Sequence, residues 1–249
     1  MTTIETHLPK SWREIPADQV LKLAGILREP GTQTGFLLKA FLIITGIRPL
    51  KRDPVILDNR LMHWFRKGKQ EFILNNGQLA EAAGKLTFLL DDPKIPVPEW
   101  NGSRFWFTPP MFGLYNMTVE QYLNCENNFA AFSATGDEKH LIKLSLNLWL
   151  PKRFTRHPED RIAKLGDDVK SAITLFYTGS RYYLADNFPN LFSKSSGEGS
   201  GDVTQLIRTL NGGDVTRNEA ILKVQLWDAL KQLEDMAIQA ERSKNANKK

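Results

Sequence analysis

Apolar residues return every three to four positions along most of this chain, and that spacing predicts helices. In IPADQVLKLAGILRE, Val20, Leu23, Ala24 and Leu27 share one face. Pro16 suits the first turn, where its missing N–H costs nothing, and Pro30-Gly31 ends the run. The next stretch, TQTGFLLKAFLIITGI, is apolar nearly all round and predicts a buried helix ending near Gly46. Thr118 opens MTVEQYLNCENNFAAFSA, with Gln121 three positions on, the pattern of a capping box. DEKHLIKLSLNLWL follows and stops at Pro151. A further helix carries Val169, Ile173, Phe176 and Tyr177 at helical spacing.

The period changes in RLMHWFRKGKQEFILN. Aromatic and β-branched residues flank Lys67-Gly68-Lys69, which predicts a hairpin near residues 62–75. Asn76 is then placed to cap GQLAEAAGKLTFLL, whose inward face would carry Leu79, Ala82, Ala83, Leu86 and Leu90. Residues 91–117 hold five prolines, which argue against a helix and leave SRFWF as a short strand inside an extended loop. Such a loop is functional or a connection.

SKSSGEGSG at 193–201 has the polar, small-residue composition of a flexible linker. The expected organisation is therefore a mainly helical α+β protein, with a main domain at 1–192, the linker at 193–201 and a helical C-terminal segment at 202–249. In that last segment Leu226, Ala229, Leu230, Leu233, Met236, Ala237 and Ala240 form an apolar stripe that something must cover. It folds back on its own domain, or it docks into a partner's groove through Leu226, Trp227, Leu230, Leu233 and Met236.

Composition narrows the chemistry. Of 249 residues, 41% are hydrophobic and 24% charged, an ordinary globular balance. The one cysteine, Cys125, excludes an internal disulfide and thiolate zinc, and it lies mid-helix without a basic neighbour to activate it. The four histidines, His7, His63, His140 and His157, show no paired metal-ligand spacing. The start of the chain lacks a leader pattern and its longest apolar run is too short to span a bilayer, so a cytoplasmic protein without membrane contact is expected. No cofactor is implied.

NGGDVTRNEAIL at 211–222 tests for a phosphate loop. Gly212-Gly213 lacks the lysine and the glycine spacing, and it follows a predicted helix rather than a strand. A hinge reading fits better, with glycine at a helix end and Thr216 with Glu219 forming another capping box. The net charge of +5 raises nucleic acid as an alternative, through Arg66, Lys67 and Lys69 of the hairpin and Arg104 of the aromatic loop. The competing reading is that these aromatics are core. An enzyme of unrecognised class, with residues 100–115 as a pocket wall, is a second alternative.

Four stretches also carry a resemblance: PKSWREIPADQVLKL, LYNMTVEQYL, ITLFYTG at 173–179 followed by FPNLF, and LNGGDVTRNEAIL. Together they resemble proteins encoded in the tail-gene regions of bacteriophages and prophages, and the helical array is similar to tail-assembly chaperones. The resemblance covers about a third of the chain by residue-pattern reading and assigns no site residue. It implies a non-enzymatic protein that assists tail or virion assembly through protein–protein contacts. The partner would be a tape-measure or tube protein, and the place of action the host cytoplasm.

Overall fold

A computed structural model describes residues 8–27, 29–91, 93–192, 210 and 214–246. The chain is mainly helical with two small antiparallel sheets. It groups into two compact units, residues 1–98 with 166–176, and 99–165 with 177–249. The first 192 residues thus contribute to both. The expected linker at 193–201, Gly212-Gly213 and most of DVTQLIRTL lie outside the described residues.

In the first unit, α1 (Ala17–Leu27) buries Val20, Leu23 and Ala24, the face its spacing predicts. Helix α2 (Gln33–Thr45) begins where the Thr32 hydroxyl accepts from the Gly35 N–H at 3.1 Å and ends at Gly46, whose φ of 68° is the left-handed geometry glycine adopts freely. Its face is narrower than the all-round apolar pattern suggests: Leu37, Ala40, Phe41 and Thr45 are buried, while Lys39 pairs with Glu29.

The sheet of this unit is larger than one hairpin. Strand β3 (Arg60–Lys67) is central. Strands β1 (Arg48–Pro49) and β2 (Val55–Leu57) pair along one side of it, and β4 (Gln70–Asn75) along the other. The β3–β4 turn at Gly68 is the expected hairpin. The β2–β3 turn was not anticipated. Asp58 and Asn59 sit there with φ of 49° and 57°, the two left-handed residues of a type I′ connection, and these residue types tolerate that geometry. The cap of α3 (Asn76–Gly84) is Asn75 rather than Asn76. Its side chain accepts from Gln78 N–H at 2.8 Å, and Gln78 Oε1 accepts from Asn75 N–H at 3.0 Å. Beyond α3 the chain tightens to a 3₁₀ turn at Thr87–Leu90. This brings Leu89 inward and leaves Leu90 exposed, the reverse of a continuous helical reading.

In the second unit, α5 (Val119–Thr135) carries the expected capping box, with Thr118 Oγ1 accepting from Gln121 N–H at 3.3 Å and Gln121 Oε1 from Thr118 N–H at 2.9 Å. It packs on α6 (Glu138–Leu148), which buries Leu141, Leu144, Ser145 and Leu148. SRFWF is not a strand throughout. Ser103–Trp106 form a single helical turn, α4, and only Phe107–Thr108 are extended, as β5, paired with β6 (Leu150–Pro151). After α7 (Pro158–Ala163) comes the long α8 (Asp167–Asn187), whose part up to Phe176 groups with the first unit and buries Ile173 and Phe176, and whose part from Tyr177 groups with the second and buries Tyr177.

Near the C-terminus the expected Thr216–Glu219 capping box does not form. Thr216 donates from its N–H (3.0 Å) and its hydroxyl (2.6 Å) to Asp214, which holds that carboxyl below its usual range, and Glu219 pairs with Lys223. A short α9 (Asn218–Leu222) leads into α10 (Leu226–Ala246). The entry to α10 is fixed by backbone bonds from Val119 N–H to Val224 O (3.0 Å) and from Leu226 N–H to Met117 O (2.8 Å). No helix among the described residues is long and apolar enough to cross a membrane.

Candidate interaction surface

The C-terminal stripe is covered by its own unit. Leu226, Ala229, Leu230 and Leu233 are buried. Trp227 is half-buried: Tyr115 stacks on it with centroids 4.0 Å apart and planes 13° from parallel, Phe188 meets its edge, and its Nε1–H donates to Gly113 O at 2.7 Å. Of the five side chains expected to dock into a partner, only Met236 is exposed. The interaction-helix expectation is therefore corrected for Leu226, Leu230 and Leu233, which fill this unit's core and offer no face outward. Along its outer side α10 carries a shallow hollow lined by Asp228, Lys231, Gln232, Asp235, Met236 and Gln239.

The basic hairpin presents little for a base to stack on. Phe65 is buried and stacked with Phe72 at 6.2 Å, and the Trp64 ring is covered by Arg52, which also grips Glu71 through two bonds of 2.7 and 3.2 Å. Arg66 and Lys69 are exposed and Lys67 half-buried. Arg104, offered with them as a nucleic-acid contact, belongs to the other unit and pairs with Glu99.

The second unit holds a buried polar network. On α5, Tyr122, Cys125, Glu126 and Phe129 recur at helical spacing. Glu126 Oε1 accepts from Tyr177 OH at 2.7 Å and from Arg181 Nε at 3.0 Å, and the Arg181 guanidinium also lies over Phe129. Burial pushes the Glu126 carboxyl above its ordinary range, against the pull of Arg181 and Tyr177. Burial likewise raises the Cys125 thiol well above its usual value, which makes it an inert packing residue. The network joins α5 to α8 by satisfying groups that would otherwise be orphaned. Among the described residues no cluster of His, Cys, Asp or Glu could hold a metal ion.

The distinctive outward feature lies at the α4–β5 turn. Phe107 points inward and is buried, with Trp100 packed 6.3 Å from it and 5.3 Å from Trp149. These rings fill the core. On the preceding helical turn Phe105 is 60% exposed and Trp106 beside it is half-buried. The loop after β6 meets them. Lys152 N–H (3.0 Å) and Thr155 Oγ1 (2.5 Å) both donate to Trp106 O, which fixes the loop and sets Phe154, 56% exposed, with its centroid 5.6 Å from that of Phe105. Arg161 lies over the Trp106 ring at 3.6 Å and donates from Nε to Arg156 O. Two exposed phenylalanines are thus held by a tryptophan, an arginine and a pinned loop.

This pairing was missed because Phe105 and Phe154 are distant in sequence. The available signal was KRFTRH, where a lone phenylalanine stands in a charged loop with no apolar period to bury it. No family model, curated protein or solved structure matches the chain.

Proposed function

We propose that this chain is a non-enzymatic assembly factor that works by protein–protein contact through the Phe105–Trp106–Phe154 surface. What supports the reading is that large rings stand exposed where the fold had the means to bury them. The strand that follows, paired with β6, buries Phe107 two residues away from Phe105. Exposed aromatic clusters on globular proteins mark interaction sites, and Trp and Arg are the residue types that concentrate binding energy. The surface is also preorganised. Two donors on one carbonyl hold the loop, so little ordering cost remains when a partner arrives.

The sequence resemblance suggests the setting. A phage or prophage tail-assembly role in the host cytoplasm, chaperone-like and directed at a tape-measure or tube protein, fits an aromatic surface that shields an apolar partner segment until assembly. The contact would be made by the aromatic turn and not by the stripe of α10.

The test is site-specific photocrosslinking in the native host. Phe105 or Phe154 is replaced by a photoreactive phenylalanine analogue, and Ile56, 73% exposed on the β2–β3 hairpin, serves as the control position. A discrete heavier adduct from the first two positions and not from Ile56 is expected, containing a virion structural protein. Equal labelling at all three positions, or none, refutes the reading.

A further inference from the structure

We infer that the occupant of the Phe105–Phe154 notch is an acidic polypeptide segment carrying one apolar anchor side chain, a conclusion that rests on the protein–protein reading above. Three observations select this chemistry. The first is shape. The planes of Phe105 and Phe154 meet at 58°, and Phe105 stands edge-on to Trp106 at 89°. Tilted rings make a notch for a branched or aromatic side chain, whereas a nucleobase stacks on a flat face. The second is that the largest face is taken. The Trp106 ring, the best stacking platform in the cluster, is already covered by Arg161 at 3.6 Å. The third is charge. Between residues 150 and 165 stand the cations Lys152, Arg153, Arg156, Arg161 and Lys164, against the carboxylates Glu159 and Asp160. Among the described residues Arg153 and Arg156 are exposed without an ion-pair partner.

An apolar centre with a cationic rim is complementary to an apolar residue flanked by Asp or Glu. The rim already contains an intramolecular version of that contact. Arg104, next to Phe105, holds Glu99. An incoming segment would repeat it with Arg153 and Arg156, where charge complementarity speeds encounter and excludes basic competitors.

The probe is a randomised dodecapeptide library selected on the full chain, with the Phe105→Ala/Phe154→Ala variant as counter-target. Selected peptides are then measured by fluorescence anisotropy, beside a labelled oligothymidylate of equal length. Circular dichroism confirms that the variants fold. The expected peptides carry two or more acidic residues around one Leu, Ile, Met, Phe or Trp. Their binding should weaken about tenfold or more in Phe105→Ala and in Phe154→Ala. It should weaken similarly in Arg153→Glu/Arg156→Glu, and it should fall as salt rises from about 0.05 to 0.3 M.

Peptides without acidic bias, or with binding indifferent to these variants, overturn the inference. So does oligothymidylate binding more tightly than any selected peptide and lost with Phe105, which would assign the notch to single-stranded nucleic acid. If crosslinking at Phe105 captures a defined protein while the selected peptides are neutral or basic, only the partner chemistry fails. If neither crosslinking nor selection responds to the phenylalanines, the protein–protein reading fails with it.

Discussion

Glu126 supplies the most discriminating test of the packing argument, because two substitutions there should behave in opposite ways. Replacing it with alanine removes the acceptor of a fully buried tyrosine hydroxyl and the partner of Arg181. An orphaned buried donor costs about 1–3 kcal/mol. Arg181, 30% exposed, reaches water and adds less. Glu126→Ala should therefore destabilise the second unit by about 2 kcal/mol. Glutamine keeps an oxygen acceptor but removes the charge. The environment raises the Glu126 carboxyl above its ordinary range, so on balance it disfavours the ionised form, burial outweighing the ion pair. The sign follows. A carboxyl with a raised folded pKa contributes stability that is complete below its unfolded value, and that contribution is lost as pH rises through the folded value. Glu126→Gln should match the parent near pH 4 and equal or exceed it at about pH 7. Urea unfolding at several pH values, with hydrogen exchange of residues 119–135 read by mass spectrometry, measures both. If Gln costs as much as Ala at neutral pH, the charged pair is what holds α5 to α8, and the burial argument is wrong.

Other outcomes follow from the same packing. Gly113 has φ of 71°, and a Cβ there would stand 2.7 Å from the Tyr183 ring, so Gly113→Ala should cost about 2–4 kcal/mol and loosen the Tyr115–Trp227 stack, seen as a lower urea midpoint and altered near-UV dichroism. Leu230→Ala should cost about 2–5 kcal/mol and Met236→Ala under about 0.5, a contrast in urea midpoint that disappears if α10 is a docking helix standing free of its unit. Asn59→Gly suits the left-handed second position of the β2–β3 turn and should be neutral or stabilising by up to about 1 kcal/mol in thermal unfolding; a loss greater than that means the turn is not type I′.

Much of the helical layout is legible in periodicity, because α1, α5, α6 and α8 carry their apolar faces locally. The α5 cap is legible for the same reason: Thr118 and Gln121 complete it within one turn. The misses arise where geometry depends on something further away or on finer competition. Asp58-Asn59 between VIL and RLMHW is a type I′ signal, but strands of three residues are too short to show an alternating period. At Thr216 two acceptors competed, and Asp214, two residues back, took the Thr216 N–H that the capping-box pattern assigns to the Glu219 side chain. The stripe on α10 is legible as apolar, yet the groups that fix the start of α10, Gly113, Tyr115 and Met117, stand over a hundred positions earlier. Periodicity reports that a face is buried and is silent on what buries it. The same limit hid the aromatic surface, since exposure of Phe105 is decided by where Phe107 must point and by a loop fifty residues on.

The size of that surface also constrains how a partner is held. Phenylalanine presents about 200 Å², so the two exposed rings offer roughly 230 Å², worth about 6 kcal/mol gross on burial. Association costs about 4–15 kcal/mol before any affinity appears. The rings alone therefore cannot retain a partner, and the rim charges and further contact area must complete the complex. A division of labour in the rates follows. Losing a phenylalanine removes desolvated contact and should chiefly raise the dissociation rate, whereas Arg153→Gln, at an exposed rim position, should chiefly lower the association rate and its salt dependence. Surface plasmon resonance against the crosslinked partner separates the two. If Phe105→Ala slows association and leaves dissociation unchanged, the rings act only in encounter and do not hold the bound segment's apolar side chain.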